Sequence, residues 1–349
     1  MLNIRKILSF LLFPLTVWYA IIISVRNILY CKGIFKQKQH QIPTICVGNL
    51  STGGTGKTPH VEYLVRLLEP HFKLAILSRG YGRKTKGFFL ADEHSTAKTI
   101  GDEPLQYFKK FKHTTVAVCE NRNIGVETLA RSSNPPEVII LDDAFQHKSI
   151  IPSLNILLTE YNKPYDKDCI LPFGNLREFR SAAKKADIVV YTKCPDYIDD
   201  IIRNKMIASQ SPRKVFFSSI QYHTPIALTE HSYCHFKTIL IFSGIANPKP
   251  LHQFMGKSSE IRTITYPDHH IYTAKDLLYL KKQFDAIDSL SKAMITTEKD
   301  AMRLKNLPEF EILESIPLFY FPIEIGFSPS NVDFNQEICN QLNKKSSFE

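Results

Sequence analysis

The chain has 349 residues, enough for two domains, and carries a formal net charge of +10 with 22% charged and 44% hydrophobic residues. This charge favours anionic partners such as a phosphorylated substrate or an anionic lipid. The sequence contains no zinc-finger spacing or other nucleic-acid signature, which argues against nucleic acid as a partner. Its seven cysteines include no Cys-x-x-Cys pair, which argues against a disulfide framework and structural zinc and fits a cytoplasmic compartment.

The first predicted element is an apolar N-terminal helix. Residues 7–25 contain no charged side chain, Arg5 and Lys6 precede the run, and Arg26 follows it. A spanning helix needs about 20 apolar residues, so the pattern favours a segment that lies in the membrane surface over one that crosses it. A buried helix of the globular fold remains the alternative, and a cleaved signal peptide is disfavoured because no small-residue cleavage site follows. Pro14 predicts a kink.

A nucleotide-binding loop comes next. Residues 43–47 predict a short buried strand, and an amphipathic helix is predicted after Thr58. The loop between them comprises Ser51, Thr52, Gly53, Gly54, Thr55, Gly56, Lys57 and Thr58. Strand, glycine-rich loop and helix are the context of a P-loop, whose backbone N–H groups surround phosphate oxygens. We expect Lys57 to contact the β- and γ-phosphates of ATP and the Thr58 hydroxyl to bind Mg²⁺.

Other residues are candidates for contacts to a substrate whose hydroxyl group would accept phosphate. Asp102 lies where a helix begins, so it is either the base that accepts a hydroxyl proton or a helix cap. Glu103 either stabilises the first helical turn or helps to hold the metal. The predicted substrate-binding residues are Arg79, Tyr81, Arg83, Arg122, Asp143, Gln146, His147 and Arg177. Guanidinium groups bind oxyanions bidentately, and a solvated surface arginine is the alternative in each case.

A second part of the phosphate site is a strand that ends in carboxylates. Residues 138–141 are apolar, and Asp142 and Asp143 follow directly. A buried parallel strand would place Asp142 beside the P-loop, where it can hold Mg²⁺ directly or through water. Lys193 follows another predicted strand at 187–192 and is either a contact to the base or a solvated side chain.

The order of the elements predicts the fold class. Strand signals at 43–47, 73–77, 114–118, 137–142, 154–158 and 187–192 alternate with helical stretches. This is typical of an α/β fold of the P-loop NTPase type with a doubly wound, mostly parallel sheet. Residues 211–236 predict a linker, and a smaller α/β domain follows. The predicted division is a membrane-associated segment at 1–35, a P-loop kinase domain at 36–215 and a C-terminal domain at 216–349.

Six further segments, taken together, resemble one family. They are residues 78–83 (Ser-Arg-Gly-Tyr-Gly-Arg), 101–104 (Gly-Asp-Glu-Pro), 142–147 (Asp-Asp-Ala-Phe-Gln-His), 171–178 (Leu-Pro-Phe-Gly-Asn-Leu-Arg-Glu), 267–270 (Pro-Asp-His-His) and 297–301 (Thr-Glu-Lys-Asp-Ala). With Val-Gly-Asn-Leu at 47–50, their order resembles the tetraacyldisaccharide 4′-kinases, the lipid A 4′-kinases of Gram-negative bacteria. Ala144 stands where that family more often has glycine.

The resemblance implies a reaction and a location. It implies transfer of the γ-phosphoryl group of ATP, with Mg²⁺, to the 4′-hydroxyl of an anionic lipid, a tetraacylated glucosamine disaccharide 1-phosphate. It also implies that Asp102 is the base and that His269 is its partner. The expected location is the cytoplasmic face of the bacterial inner membrane, with the chain attached to the membrane surface as a monotopic or peripheral protein.

One alternative from another class stays open. Residues 53–58 also resemble the Gly-Gly-x-Gly-Lys-Thr loops of MinD-like ATPases, which act as membrane-associated switches. Such a switch needs neither a second domain nor a separate acid–histidine pair, so these two features distinguish the hypotheses.

Overall fold

The computed structural model describes residues 12–245, 249–255, 260–267, 270–305, 307–328 and 331–346. The first part of the predicted apolar run, residues 7–11, lies outside this range, as does His269. The chain divides into two compact units, one of Met1–Ile220 with Ile325–Glu349 and one of Gln221–Glu324.

The helices and strands of the described residues are as follows. The α-helices are α1 (Phe13–Cys31), α2 (Lys57–Leu68), α3 (Ala97–Ile100), α4 (Asp102–Lys110), α5 (Arg122–Ala130), α6 (Asp200–Gln210), α7 (Lys249–Met255), α8 (Ala274–Asp285), α9 (Glu298–Leu304) and α10 (Asn331–Ser346). The strands are β1 (Lys38–Gln39), β2 (Thr44–Asn49), β3 (Leu74–Ser78), β4 (Phe89–Leu90), β5 (Thr115–Val118), β6 (Val138–Asp142), β7 (Ile150–Ile151), β8 (Leu154–Glu160), β9 (Ile188–Thr192), β10 (Lys214–Tyr222), β11 (Ile226–Ala227), β12 (Thr238–Ser243), β13 (Glu260–Thr265), β14 (Lys292–Thr297), β15 (Leu318–Phe321) and β16 (Ile323–Ser328).

The first unit is built on a nine-stranded sheet with the order β16-β10-β9-β8-β2-β6-β3-β5-β4. The neighbouring pairs from β10 to β5 are parallel. Strands β2, β3 and β6 are buried along their whole length, as expected where both faces of a parallel sheet are covered. This arrangement confirms the predicted α/β fold with a mostly parallel sheet.

Strand β2 occupies the position at which the strand order reverses. The chain passes from β2 to β3 and β5 on one side, and it later returns to place β8 and β9 on the other side. Because parallel strands end at the same edge, the loops after β2, β6, β8 and β9 meet there. In open α/β sheets this crevice is where ligands bind.

The second unit contains a separate five-stranded sheet with the order β11-β15-β14-β12-β13. In this unit, the segment 297–301 forms hydrogen bonds that hold a neighbouring loop. Asp300 is fully buried, and its carboxylate accepts hydrogen bonds from the Gly244 backbone N–H at 3.0 Å and from the Thr297 hydroxyl at 2.7 Å. Arg303 bonds both the Asp300 carboxylate and the Gly244 carbonyl. The segment therefore fixes the loop that follows β12.

Residues Ile325–Glu349 belong to the first unit, whereas the predicted division assigned all of 216–349 to the second domain. Strand β16 lies at the edge of the first sheet, and α10 follows it onto the same unit. The rings of Phe327 and Phe334 stack at 3.9 Å within the core that also contains Leu64 of α2, and the Tyr63 hydroxyl donates to Asn335 at 2.8 Å. Burial of these aromatic rings holds the C-terminus on the first unit.

The segment 211–236 was predicted to be a linker, but it contains the nine-residue strand β10. Residues 214–217 of β10 pair in parallel register with residues 188–191 of β9. Prolines at 212 and 225 flank this strand and suggested a linker in the sequence.

Helix α1 turns several apolar side chains outward, whereas a surface helix of a soluble protein turns them toward the core. Trp18, Ile21, Ile22 and Val25 are each about half exposed or more, and Ile23 is the buried residue of the helix. By length and composition the helix could cross a membrane. Pro14 lies in the first turn, where its missing N–H has no intrahelical partner to lose, so it starts the helix and does not interrupt it. An outward apolar face on the described part of α1 supports membrane association over a buried helix.

We expect Ile22→Glu to weaken binding of the full chain to anionic lipid vesicles because it places a charge on the outward face of α1. Its unfolding temperature should match that of the unsubstituted chain, since Ile22 is exposed. Vesicle co-sedimentation measures the effect, with Asn204→Glu on the exposed surface of α6 as the matched control. Equal sedimentation of the two variants would contradict the membrane role of α1.

Candidate active site

The predicted P-loop is present between β2 and α2. Its tip, residues 52–54, is exposed, and Gly53 and Gly56 adopt positive φ angles of 108° and 86°. The Asn49 amide donates to the Thr55 hydroxyl at 2.8 Å, which ties the end of β2 to the loop. Helix α2 begins at Lys57, so its unpaired N–H groups and positive dipole end face the loop. The geometry suits the phosphates of a nucleotide.

Residues 169–178 run beside the start of the P-loop and support it. The Thr52 N–H donates to the Asn175 carbonyl at 2.8 Å, and the Arg177 N–H donates to the Leu50 carbonyl at 2.7 Å. The Asp168 carboxylate in turn accepts from the Asn175 amide at 2.9 Å. This explains why the Leu-Pro-Phe-Gly-Asn-Leu-Arg-Glu segment accompanies the P-loop: it forms a short backbone ladder with it.

Arg177 joins three of the predicted segments. Its two terminal nitrogens bond the Asp143 carboxylate at 3.0 and 3.2 Å, and it also donates to the Asn49 side chain. The Lys57 ammonium lies 3.7 Å from the same carboxylate. Although burial acts to raise the pKa of Asp143, the Lys57 and Arg177 cations outweigh it and lower that pKa. We call Lys57, Asp143 and Arg177 the charge cluster.

Asp142 has the opposite electrostatic character. Its carboxylate is buried and accepts a hydrogen bond from the Ser78 hydroxyl at 3.2 Å. Burial, with the negative charges of Asp143 and Glu103, raises the pKa of Asp142 to about 6. Crowded carboxylates of this kind fit a divalent cation. The described ranges contain no group of three or more His, Cys, Asp or Glu residues that could hold a metal ion.

Asp102 is placed by two loops that touch through glycine. Gly80 and Gly101 have φ angles of 70° and 96°. A Cβ atom on Gly80 would lie 2.6 Å from the Ile100 carbonyl oxygen, and one on Gly101 would lie 3.0 Å from the Tyr81 carbonyl oxygen. The segments 78–83 and 101–104 are therefore two halves of one backbone contact. It positions Asp102 at the first residue of α4.

Four of the predicted substrate-binding residues differ in exposure: Arg79 and Tyr81 are exposed, whereas Gln146 and His147 are partly buried. Arg79 and Tyr81 are exposed on the loop after β3, so both are accessible to a ligand. Gln146 donates to the Asn49 carbonyl at 2.5 Å. Burial, with the cations of Arg122 and Arg79, lowers the pKa of His147 to about 4, so this imidazole is neutral at pH 7.

Two predicted clamps require correction. Arg122 is completely buried, and it donates to the Cys119 carbonyl at 2.6 Å and to the Asp142 carbonyl at 3.1 Å. Arg83 donates from one nitrogen to the Glu120 carboxylate and the Gly87 carbonyl, both at 2.6 Å, and its side chain is 3% exposed. These arginines hold loops of the protein because their side chains are enclosed.

Two contacts to the P-loop backbone were not predicted. Lys193 has a positive φ of 55°, and its ammonium lies 2.5 Å from both the Gly54 carbonyl and the Glu160 carboxylate. It therefore contacts the P-loop backbone and is not a free surface lysine. His60 is buried; one ring nitrogen lies 2.7 Å from the Gly56 carbonyl and the other 3.0 Å from the Ser218 hydroxyl. Burial lowers its pKa to about 4, so the neutral ring donates to Gly56 and accepts from Ser218.

We expect Asp142→Asn to stabilise the fold at pH 7.5 in the absence of nucleotide and divalent cation. The folded-state pKa is about 6 and the ordinary value is 3.8, so the folded chain binds the proton more tightly. Stability from this group is therefore lost as the pH rises through 6. Removing the charge should add about 1–3 kcal/mol above pH 6 and little near pH 4.

Thermal unfolding at both pH values measures this gain, and Asp196→Asn, which removes an exposed carboxylate, is the control. A lower unfolding temperature for Asp142→Asn at pH 7.5 would contradict the account of a destabilising buried charge.

Comparisons with known proteins agree with this geometry. The family model described as tetraacyldisaccharide-1-P 4′-kinase matches residues 8–343. A tetraacyldisaccharide 4′-kinase of Flavobacterium psychrophilum is 42% identical over 340 residues, which cover 95% of this chain and 96% of that protein. The corresponding protein of Flavobacterium johnsoniae is 41% identical, with coverage of 97% and 98%.

A solved structure is also similar along most of its length. It is LpxK from Aquifex aeolicus in complex with ATP, with a TM-score of 0.72 and 29% identity, covering 96% of this chain and 99% of that one. These likenesses confirm the resemblance drawn from the six segments and give no support to a MinD-like switch. The chain belongs to the tetraacyldisaccharide-1-P 4′-kinase family.

Proposed function

We propose that this chain transfers the γ-phosphoryl group of ATP to the 4′-hydroxyl of a tetraacylated glucosamine disaccharide 1-phosphate, a step of lipid A biosynthesis. The observation that carries the proposal is the charge cluster beside a complete P-loop at the carboxyl edge of the sheet. Phosphoryl transfer depends mainly on positioning and on neutralising charge, which this arrangement supplies. The names of the relatives and the ATP-bound Aquifex structure support the substrate pair.

The P-loop residues would bind the triphosphate. The backbone N–H groups of residues 51–58 would surround its oxygens, and Lys57 would contact the β- and γ-phosphates. Lys57 lies near Asp143 in this structure, so the Asp143–Arg177 pair would hold the lysine in place while its charge is shared with phosphate. Lys193 contacts the Gly54 carbonyl and would help to fix the backbone of the loop.

Thr58, Asp142 and Glu103 would hold Mg²⁺. When bound there, a divalent cation would supply neutralisation of charge on the phosphate oxygens. The fit rests on the raised pKa of Asp142, which reflects unbalanced negative charge at this position. Ser78 and Arg122 orient Asp142 through its carboxylate and its backbone carbonyl.

Asp102 would accept the proton of the attacking hydroxyl, and His269 keeps the partner role that the family resemblance implies. Asp102 stands on α4 beside Glu103, and the Gly80–Gly101 contact fixes this turn. Arg79 and Tyr81 are the exposed side chains available to the anionic disaccharide, through an ion pair and stacking on a sugar ring.

The same proposal places the chain at the cytoplasmic face of the bacterial inner membrane, attached through α1 as a monotopic or peripheral protein. The outward apolar face of α1 supports attachment, and a lipid-borne acceptor requires the enzyme to work at a membrane surface. ATP is supplied on the cytoplasmic side.

The test is a transfer assay with the full chain in detergent micelles, using radiolabelled ATP, Mg²⁺ and the tetraacylated disaccharide 1-phosphate. We expect label at the 4′-position, and none when the acceptor already carries a 4′-phosphate. Lys57→Ala should lose at least about 100-fold in turnover, because it removes a cation that stabilises the transition state. Asp102→Asn should lose about 10²–10⁴-fold while it retains ATP affinity.

A cooperative unfolding transition well above the assay temperature in both variants provides the folding control. ATP hydrolysis that is equal with and without the acceptor, and the absence of 4′-label, would contradict the proposed function.

A further inference from the structure

The side of α1 that faces the protein carries polar side chains beside the buried Ile23, which an anchor alone does not require. Tyr19, Ile23, Arg26 and Asn27 share one helical face because they are spaced by four, three and one residues. Asn27 accepts a hydrogen bond from Lys148 at 2.5 Å. The contacts of this face lead to the segment 169–178 and to the loop after β6.

One of these contacts is an ion pair between Arg26 and Glu178. The Glu178 side chain is 1% exposed and that of Arg26 is 38% exposed. The second carboxylate oxygen of Glu178 is buried and has no hydrogen-bond partner within the described residues. A buried carboxylate is strongly destabilised when its cation is removed. Glu178 therefore depends on α1 for the cation that it bonds directly, while Lys148 and Lys185 add a more distant electrostatic attraction.

The residue before Glu178 points to the opposite side. The Tyr19 hydroxyl donates to the Arg177 carbonyl at 3.0 Å, so α1 also holds the backbone of Arg177. The Arg177 N–H bonds Leu50 at the start of the P-loop, and its guanidinium bonds Asp143. Two consecutive residues thus connect α1 on one side with the charge cluster on the other.

We propose that Glu178 is a positioning residue through which the docking of α1 controls the geometry of the charge cluster and the P-loop. The Arg26–Glu178 pair and the Tyr19–Arg177 hydrogen bond fix residues 177–178, and Arg177 transmits this order to Asp143 and Leu50. Helix α1 is then a part of the catalytic machinery as well as a membrane attachment. The kinetic consequence rests on the proposed function, but the structural consequence does not.

The structural consequence is tested by amide hydrogen exchange on Arg26→Met, which keeps the aliphatic stem and removes the charge. Exchange of the segments that contain the Thr52 and Arg177 amides should quicken at least about tenfold, because both donate into the ladder that Glu178 supports. The control is Lys36→Met, which removes an exposed cation shortly after α1. Unchanged exchange in Arg26→Met would overturn the proposal.

The kinetic consequence is tested in detergent micelles, where vesicle binding does not limit turnover. Arg26→Met and Glu178→Gln should each lower kcat about tenfold or more, with the KM for ATP changed by less than about threefold. The double variant should be no slower than the slower single variant, since the two residues act as one unit. Arg26→Lys should recover most of the turnover, and Lys36→Met should stay within about twofold of the unsubstituted chain.

The outcomes separate the two claims. A loss confined to the KM for the lipid acceptor, or losses that multiply in the double variant, would overturn the positioning role. If the unsubstituted chain transfers no phosphate to the disaccharide, the proposed function fails, and the exchange measurement still decides whether Glu178 positions the cluster.

Discussion

The bidentate pair between Arg177 and Asp143 is the constraint on which the site depends. Four chain segments meet there: the end of β2 at Asn49, the P-loop at Lys57, the loop after β6 and the segment that supports the P-loop. A triphosphate would be repelled by two carboxylates at one sheet edge. Arg177 and Lys57 neutralise Asp143 and leave Asp142 as the carboxylate with a raised pKa, suited to a cation. The parallel sheet brings these charges together, and the Arg177–Asp143 pair reduces the repulsion between them.

The other recurring segments of the family hold this arrangement from outside. Gly80 and Gly101 allow two loops to touch, and a Cβ on Gly48 would lie 2.5 Å from Cβ of Phe145, so β2 and the loop after β6 pack closely there. Buried Arg122 connects the loop after β5 to Asp142. Most of the quoted motif residues therefore fix backbone positions, and few of them face a ligand. Helix α1 adds a further support through Glu178.

Local sequence patterns were sufficient for the P-loop, the strand that ends at Asp142 and the α/β fold, because each depends on short-range periodicity and turn chemistry. They were insufficient for Arg83 and Arg122, two enclosed side chains whose partners come from distant positions such as Glu120 and Asp142. The return of β16 and α10 to the first unit likewise depends on long-range aromatic packing. Lys193 was recognised as a residue after a strand, but its contact with Gly54 requires the tertiary structure.

The most direct test of this account is a double-mutant cycle on the central pair. Arg177→Gln, Asp143→Asn and the double variant would be compared by their free energy of unfolding and by ATP affinity. The two groups neutralise each other in a partly buried setting. The losses of unfolding free energy in the two single variants should therefore add up to more than the loss in the double variant, with a coupling of at least about 1 kcal/mol. Effects that add within about 0.5 kcal/mol would contradict the central role of the pair.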